Sequence, residues 1–430
     1  MSEKAERLIL GINLDDSRYE ARHCTGQAQC RWIDYNYSQG TDFAWRCPSW
    51  QKEGFDSFGA EGKCNIVYYL LKGKLDYSSP MLRDVVYKCT LCGSCDVACK
   101  RNLDYEIQMM LESLRARLVE KGYGPMPQHE EKTRNIESSH NRFGRNQAER
   151  RNWMPKDVTP AAKADILYHA GCRASFVDTE ISGATARILN TANVPFMVMK
   201  EERCCGHFLY TTGQTEKARK IAEENLKLIR ETGAKTVVTS CAECYKTIKV
   251  DYPKLLGKST SDLDFEVVHL VELVDRWVKE GKLKLNNRVD MKVTYHDPCN
   301  LGRLSEPWYH WAGVRKDWGV FDPPRTARRG VHGVYEPPRD ILRAIPGLEL
   351  VEMVRRRENA WCAGNDAGVK EAYPEFALWT AGERLREAVT TGAGAIVSGC
   401  PGCKESFTDA ARNGMKVYDI AELIVRAVGK

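Results

Sequence analysis

The stretch from Lys88 to Lys100, KCTLCGSCDVACK, constrains this chain more than any other. It sets Cys89, Cys92, Cys95 and Cys99 at C-x2-C-x2-C-x3-C spacing. Three thiolates stepped this closely wrap one [4Fe–4S] cubane, and the fourth leaves to ligate a second cluster. A zinc knuckle is the alternative, but zinc sites favour paired C-x2-C units over three evenly stepped cysteines and a fourth. The thirteen other cysteines of the 430-residue chain make sense once this stretch is read as a metal site.

The total of seventeen cysteines is odd, and the N-terminus MSEKAERLILGINLDD lacks a basic region followed by an apolar one. A secreted disulfide framework is therefore not expected. Cysteine at these spacings in a reducing compartment reads as metal ligation, which implies a cytoplasmic protein. No apolar run long enough to cross a bilayer occurs, so membrane attachment is expected only at the periphery, through another subunit. The net charge of +6 is mild and is not the footprint of a nucleic-acid binder. Basic runs at Arg142–Arg151, Arg325–Arg329 and Arg355–Arg357 read as solvated faces, with docking of an acidic partner protein as the sharper alternative.

Residues 1–125 read as a first, helical, ferredoxin-like unit with two clusters. Five residues separate Cys24 from Cys30, as they separate the outer cysteines of C-x2-C-x2-C, so CTGQAQC looks like the same loop with Gln27 in place of its middle cysteine. Cys47 is followed by Pro48, the signature of the crossed fourth ligand. By that rule Cys47 completes the cluster of Cys89, Cys92 and Cys95, while Cys99 crosses to Cys24 and Cys30. Cys64 is the only cysteine left for the remaining corner. The alternative is a buried free cysteine on the helix NIVYYLLKG, with the cluster incomplete or ligated by another group. Ile107, Met110, Leu111, Leu114 and Leu118 recur at helical spacing over Tyr105–Gly122, with Gly122 as C-cap. Residues 126–160, polar and holding Pro127, Pro155 and Pro160, read as an extended linker or surface strap with His129 and His140 in solvent.

From Asp165 the grammar becomes strand, helix, strand, which implies a parallel α/β layer. ADILYHAGC, VPFMVMKEERCC and KTVVTSCAEC each end in cysteine, at the strand ends where open sheets build their sites. Cys172, Cys204, Cys205, Cys241 and Cys244 are expected to converge on one rim. The helix between, EKARKIAEENLKLIRETG, has Ala218, Ile221, Ala222, Asn225 and Ile229 on one face. The unit then repeats. Tyr168-His169-x-x-Cys172 matches Tyr295-His296-x-x-Cys299, and TVVTSCAEC matches AIVSGCPGC at Cys400 and Cys403. Two domains at 161–285 and 286–430 follow, and in the second a helix presents Leu378, Ala381, Leu385 and Ala388. The copies differ twice. Between Cys299 and Cys362 lie 62 residues, against 31 between Cys172 and Cys204, so 303–345 reads as an insertion, rich in Trp and packing on the surface or against a partner. Cys362 is followed by Ala363 rather than by a second cysteine.

Cys172, Cys204-Cys205-Gly206, Cys241 and Cys244 reproduce the motif of the cysteine-rich CCG domain. A two-cluster unit followed by two such domains resembles the fused D-type subunit of heterodisulfide reductase, over nearly the whole chain. Among soluble relatives the sequence also looks like the electron-transfer subunit of class II benzoyl-CoA reductase complexes. The resemblance implies a noncubane [4Fe–4S] cluster on the five cysteines of the first copy. In the second copy Cys299, Cys362, Cys400 and Cys403 remain for zinc, a further cluster or nothing, which puts cleavage of a disulfide between two noncubane clusters in doubt.

Three functions follow. The chain is an electron-transfer subunit of an anaerobic redox complex, working with flavin-, quinone- or ferredoxin-linked subunits. Alternatively it reduces a disulfide or heterodisulfide at the noncubane cluster, with His169 and His207 beside the cysteines as proton donors or as orienting groups. The third is a zinc-stabilised scaffold, against which the C-x2-C-x2-C-x3-C motif argues.

Overall fold

In a computed structural model of the chain, the described residues are 7–9, 11–33, 38, 40–99, 106–325, 327–412 and 414–429. The strands are β1 (Arg7–Ile9), β2 (Ile166–Tyr168), β3 (Phe196–Met197), β4 (Thr236–Thr239), β5 (Glu266–His269), β6 (Met291–His296), β7 (Ala312–Arg315), β8 (Phe321–Asp322), β9 (Leu348–Val351), β10 (Ala395–Ser398) and β11 (Lys416–Asp419). Two parallel four-stranded sheets run in the orders β3-β2-β4-β5 and β9-β6-β10-β11. These orders are the same once the strands are numbered within each repeat. In both, the first and third strands are central, in register from Ile166↔Thr236 and Val293↔Ala395. The central strands are apolar along their length because helices cover both faces: Leu167, Val237, Val238, Val293 and Ile396 have no exposed surface. One continuous core links both sheets.

The helix Thr215–Thr232 between β3 and β4 buries Ala218, Ile221, Ala222, Asn225 and Ile229, the face its periodicity predicts, and stops at Gly233 with φ +71°. The helix Pro374–Thr390 departs from expectation. Leu378 is 41 % exposed, and the buried face shifts to Phe376, Ala377, Thr380, Ala381, Arg384, Leu385, Glu387 and Ala388. Buried charge, invisible to an apolar periodicity, causes the shift: Arg384 and Arg355 both bond Glu387 inside the protein.

Ahead of the sheets, short helices surround the helix Ile107–Glu120, whose Met109, Met110, Leu111, Leu114 and Leu118 are buried. Tyr105, where that helix was expected to begin, lies outside the described residues. Segment 303–345 packs against this first unit of its own chain. Trp308, Trp311 and Phe321 join the core of Met109, Met110 and Leu114, and β7 pairs antiparallel with β1 and with β8. Trp318 stands out at 95 % exposure.

Segment 126–160 corrects a second expectation. It carries the helix Glu130–Ser139 and turns inward, with Ile136 fully buried. His129 is buried rather than solvated. Its Nε2 meets the Gly368 carbonyl at 2.9 Å, and its ring packs edge-on to Tyr87 and Phe208. His140 is half-buried. The basic runs are not plain solvated faces either. Arg150 and Arg355 are each 1 % exposed, Arg142 pairs with Glu243, and Arg325 and Arg328 both pair with Glu106. No helix of the described residues is long and apolar enough to cross a membrane.

Candidate metal centres

All seventeen cysteines are free thiols, and they gather in four places. In the first unit two cavities lie side by side. One is lined by Cys24, Cys30, Cys64 and Cys99 together with Glu20 and Glu61. The other is lined by Cys47, Cys89, Cys92 and Cys95, with Cys30 in the wall between them. Local structure delivers each thiol. Cys47 caps the helix Pro48–Glu53, Cys64 rides on Ala60–Leu71, and Gly93 at φ +70° turns the loop into the short helix that carries Cys95 and ends at Cys99. Such a reversal needs glycine, and a Cβ there would lie 2.5 Å from Leu304.

Around the first cavity, the Cys30 thiol donates to Glu61 Oε2 at 2.7 Å, and Arg31 pairs with Glu61. Glu20, paired with Arg315, is pushed up to about 7 by burial. Burial likewise pushes Cys30 up to about 12 and Cys47 up to about 11. Thiols held protonated in a dry site become good ligands only when a cation replaces the proton.

The third group stands at the C-terminal rim of the first sheet. Cys172 opens the helix after β2, the Cys204-Cys205 pair follows β3, and Cys241 and Cys244 sit at the start of the helix after β4. Cys204 is in hydrogen-bonding contact with Cys172 and Cys205, and Cys244 with Cys205 and Cys241. Those bonds from Cys204 and Cys244 draw Cys205 down to about 5. Gly171, at φ +78°, lets the backbone approach, since a Cβ there would sit 2.9 Å from Cys244 Sγ. The Gly206 amide donates to Cys204 Sγ at 3.4 Å.

The fourth group, Cys299, Cys362, Cys400 and Cys403, occupies the corresponding rim of the second sheet. Cys362 contacts Cys299, and Cys400 contacts Cys403. Gly364 repeats the amide-to-sulfur bond, reaching Cys362 Sγ at 3.3 Å, while Ala363 is buried where the first copy has Cys205. This group also touches two others: Cys92 of the second cavity meets Cys362, and Cys241 of the first rim meets Cys400. Among the described residues no three His, Cys, Asp or Glu donors converge to hold a single ion. The thiols are grouped in fours and fives, and this soft, sulfur-dominated donor set suits iron–sulfur clusters.

Spacing did not point to several charged neighbours. Arg150 lies within the basic run 142–151, yet its Nη2 is 3.9 Å from Cys172 Sγ and its Nη1 is 2.7 Å from Glu202. Glu202 in turn accepts from the amides of Ala170 and Gly171. His169 is buried beside Glu202, at 3.9 Å. His207 bonds Asp366 at 2.8 Å and Thr247 at 3.0 Å, and Asp366 also accepts from Asn300. Lys132, Arg142, His207, Glu243, Asp366, Lys370, Glu371 and Glu405 line a small polar cavity between the two sheets' rims. His169 and His207 stand next to the cysteine motifs in the sequence; for the other groups the only sequence signal was an excess of arginine.

This arrangement, two α/β layers each with cysteines at its rim, defines a class. The cysteine-rich domain family CCG matches residues 166–249 and 318–408. Over 354 residues the chain is 37 % identical to the D-type subunit of the dihydromethanophenazine:CoB–CoM heterodisulfide reductase of Methanosarcina mazei, covering 81 % of this chain and 79 % of that one. The Methanosarcina acetivorans counterpart is 36 % identical over the same shares. The chain therefore belongs to the family of D-type heterodisulfide reductase subunits. A more distant relative is an EtfAB:quinone oxidoreductase of Syntrophomonas wolfei, 27 % identical over 80 % of this chain and 47 % of that one. Among solved structures, a hypothetical protein of Helicobacter pylori shares the fold, with a TM-score of 0.52 at 11 % identity over 85 % of this chain and 68 % of that one.

Proposed function

We propose that the chain is the electron-relay subunit of a larger redox complex. One [4Fe–4S] cubane belongs to Cys24, Cys30, Cys64 and Cys99, and another to Cys47, Cys89, Cys92 and Cys95. A noncubane [4Fe–4S] cluster belongs to Cys172, Cys204, Cys205, Cys241 and Cys244, and a further centre, cluster or zinc, to Cys299, Cys362, Cys400 and Cys403. The units are 1–125, 161–285 and 286–430, with 126–160 joining them. When bound, the clusters supply one-electron chemistry. The chain holds them in line, keeps water out and sets their surroundings through hydrogen bonds and charge.

The observation that carries this reading is how the second rim meets both neighbours. Arg303 bonds the carbonyls of Cys92 and Ala360 at 2.9 and 2.6 Å, beside Cys362. Gly402, between Cys400 and Cys403, packs so closely on Glu243, between Cys241 and Cys244, that a Cβ would collide with its carboxylate. These contacts set the second rim between the cubane cavity and the first rim. The four-cysteine centre is then the middle of the path rather than a vestige. Flavin-, quinone- or ferredoxin-linked subunits would supply and take the electrons, and one of them would provide any membrane attachment. The test is anaerobic metal content and EPR of the wild type beside Cys204→Ala and Cys299→Ala. We expect iron in the wild type, loss of the noncubane signal in the first variant, and loss of a further centre with both cubane signals intact in the second. Protein without iron would contradict the reading.

The polar cavity beside His207 favours a second reading, disulfide reduction at the first rim. Two electrons from a partner and two protons would convert R–S–S–R′ into RSH and R′SH. Lys132, Arg142 and Lys370 line the cavity together with Glu243, Asp366, Glu371 and Glu405, a mixed-charge wall that suits a polar disulfide. Turnover of small disulfides by the isolated chain with an artificial donor would support this reading and reject a pure relay.

A further inference from the structure

The two cavities of the first unit differ sharply in charge. Among the described residues, the lining of the Cys24, Cys30, Cys64 and Cys99 cavity includes Glu20 and Glu61 and no Lys or Arg. The lining of the Cys47, Cys89, Cys92 and Cys95 cavity includes Arg46 and Lys63 and no Asp or Glu. Two further arginines stand behind the second cavity. Three guanidinium groups in all hold the C-x2-C-x2-C loop by its carbonyls: Arg115 donates to Cys89 O at 2.6 Å, Arg303 to Cys92 O at 2.9 Å, and Arg46 to Ser94 O at 3.1 Å.

None of these cations is solvated. Arg46 and Arg303 are 5 % exposed, Lys63 1 % and Arg115 0 %. Among the described residues none of the four forms a salt bridge to a carboxylate. Their other bonds go to neutral oxygens: Trp32 O and Asn359 Oδ1 for Arg46, Phe58 O for Lys63, Thr211, Ala367, Val86 and Tyr87 carbonyls for Arg115, and Glu358 and Ala360 carbonyls for Arg303. Arg303 Nη2 is buried with no hydrogen-bond partner. The carboxylate beside this loop is Asp96, which is turned to the Gln108 amide at 3.3 Å. In the first cavity, by contrast, each carboxylate has its own arginine, Arg315 for Glu20 and Arg31 for Glu61, with the acids on the cavity side.

Buried cations without carboxylates are costly unless an anion faces them. Here the anion would be a thiolate-ligated cluster, and each added electron makes it more negative. Fixed positive charge in a dry site favours that electron, and fixed negative charge opposes it. We propose that the site of Cys47, Cys89, Cys92 and Cys95 is the higher-potential of the two cubane sites, so that electrons run from the Cys24 side inward, with Arg303 and its neighbours as the positioning and potential-setting residues. One electron moves from the first site to the second, and no bond forms or breaks. The exposed loop of residues 25–27 at the mouth of the first cavity is where electrons would arrive. This inference rests on the iron–sulfur reading above.

An EPR-monitored redox titration of the full chain, purified anaerobically, tests it. Arg303→Gln should move only the higher-potential cubane signal, making that site at least tenfold harder to reduce, ~59 mV for a one-electron couple. Arg303→Lys keeps the charge and should stay within a few-fold of wild type. Glu61→Gln should move only the lower-potential signal, in the opposite direction, and it stands as an independent arm if Arg303→Gln fails to fold. Iron present but with Arg303→Gln acting on the lower-potential signal, or moving neither, would overturn the inference and leave the relay reading standing. Wild type lacking two cubane signals would overturn both.

Discussion

The two cysteine-rich halves share a strand order and a Cys-x-Gly turn, and they differ by one sulfur. Gly206 and Gly364 place the same amide on the same cysteine, at 3.4 and 3.3 Å, although the residue between is Cys205 in one half and Ala363 in the other. The backbone of a site outlasts its full ligand set. A missing thiol therefore does not unmake the turn, and here the four-thiol rim is the one that lies against both neighbours.

The largest test of this comparison exchanges that residue. Cys205→Ala should abolish the noncubane EPR signature, because the first rim then has the thiol set of the second. Ala363→Cys should give the second rim a fifth thiolate and add a signature of the same kind. The next contrast is in buried charge. In the first half Arg150 relies on Glu202 as its carboxylate, whereas in the second Arg339 is shared by Asp297 and Glu352. Glu202→Ala should lower stability by about 3–5 kcal/mol, as for breaking a buried pair. Glu352→Ala leaves Arg339 its bidentate partner and should cost about 1.5–3 kcal/mol, the thermal midpoint reporting both.

The halves also cap corresponding helices differently. His269 caps the helix Leu270–Lys279, and Asp419 caps Ile420–Ala427, each in a box with a glutamate. Burial pushes His269 down to about 4 from an ordinary 6.5. Above 6.5 the imidazole is neutral whether the chain is folded or not. Between 6.5 and 4 the unfolded chain takes up a proton that the folded one refuses, so stability falls with pH, by up to about 3 kcal/mol for this group. His269→Asn keeps a cap without the imidazole and should flatten the acid limb of midpoint against pH. Part of that limb should remain, since burial also pushes His129 down to about 4. The smallest difference lies at the turn glycines. Gly206→Ala should cost about 1–2 kcal/mol for its left-handed backbone. Gly364→Ala should cost more, because its Cβ would lie 2.5 Å from the Ala377 carbonyl oxygen, whereas that of Gly206 meets a movable Ile221 side chain at 3.1 Å.

Much of this was legible in the sequence. Alternating strands and helices, with cysteines following the first three strands of the first copy, pointed to the parallel layers and the rims, and the repeat of Tyr-His-x-x-Cys announced the second sheet, while the fourth strands β5 and β11 carry no such marker. What spacing cannot carry is long-range charge. Arg46, Arg115 and Arg303 come from distant stretches and meet only because the loop carbonyls need donors. The run 142–151 reads as surface until Glu202 and Cys172 are seen beside Arg150. The fate of 303–345 was hidden for a similar reason: Trp308 and Trp311 fill a core belonging to residues a hundred positions and more away. The contact of the Cys92 loop with the Cys362 segment through Arg303, on which the relay reading rests, joins two motifs that sequence order keeps apart.

That contact also names the most direct measurement. Rapid-freeze EPR can follow, after mixing with a reductant, when the cubane signals appear and when the first-rim centre is reduced, in wild type and in Cys362→Ala. Cubanes reduced at the wild-type rate with the first rim lagging at least tenfold in the variant would place the second rim in the path. Reduction of the first rim at the wild-type rate in Cys362→Ala would contradict it.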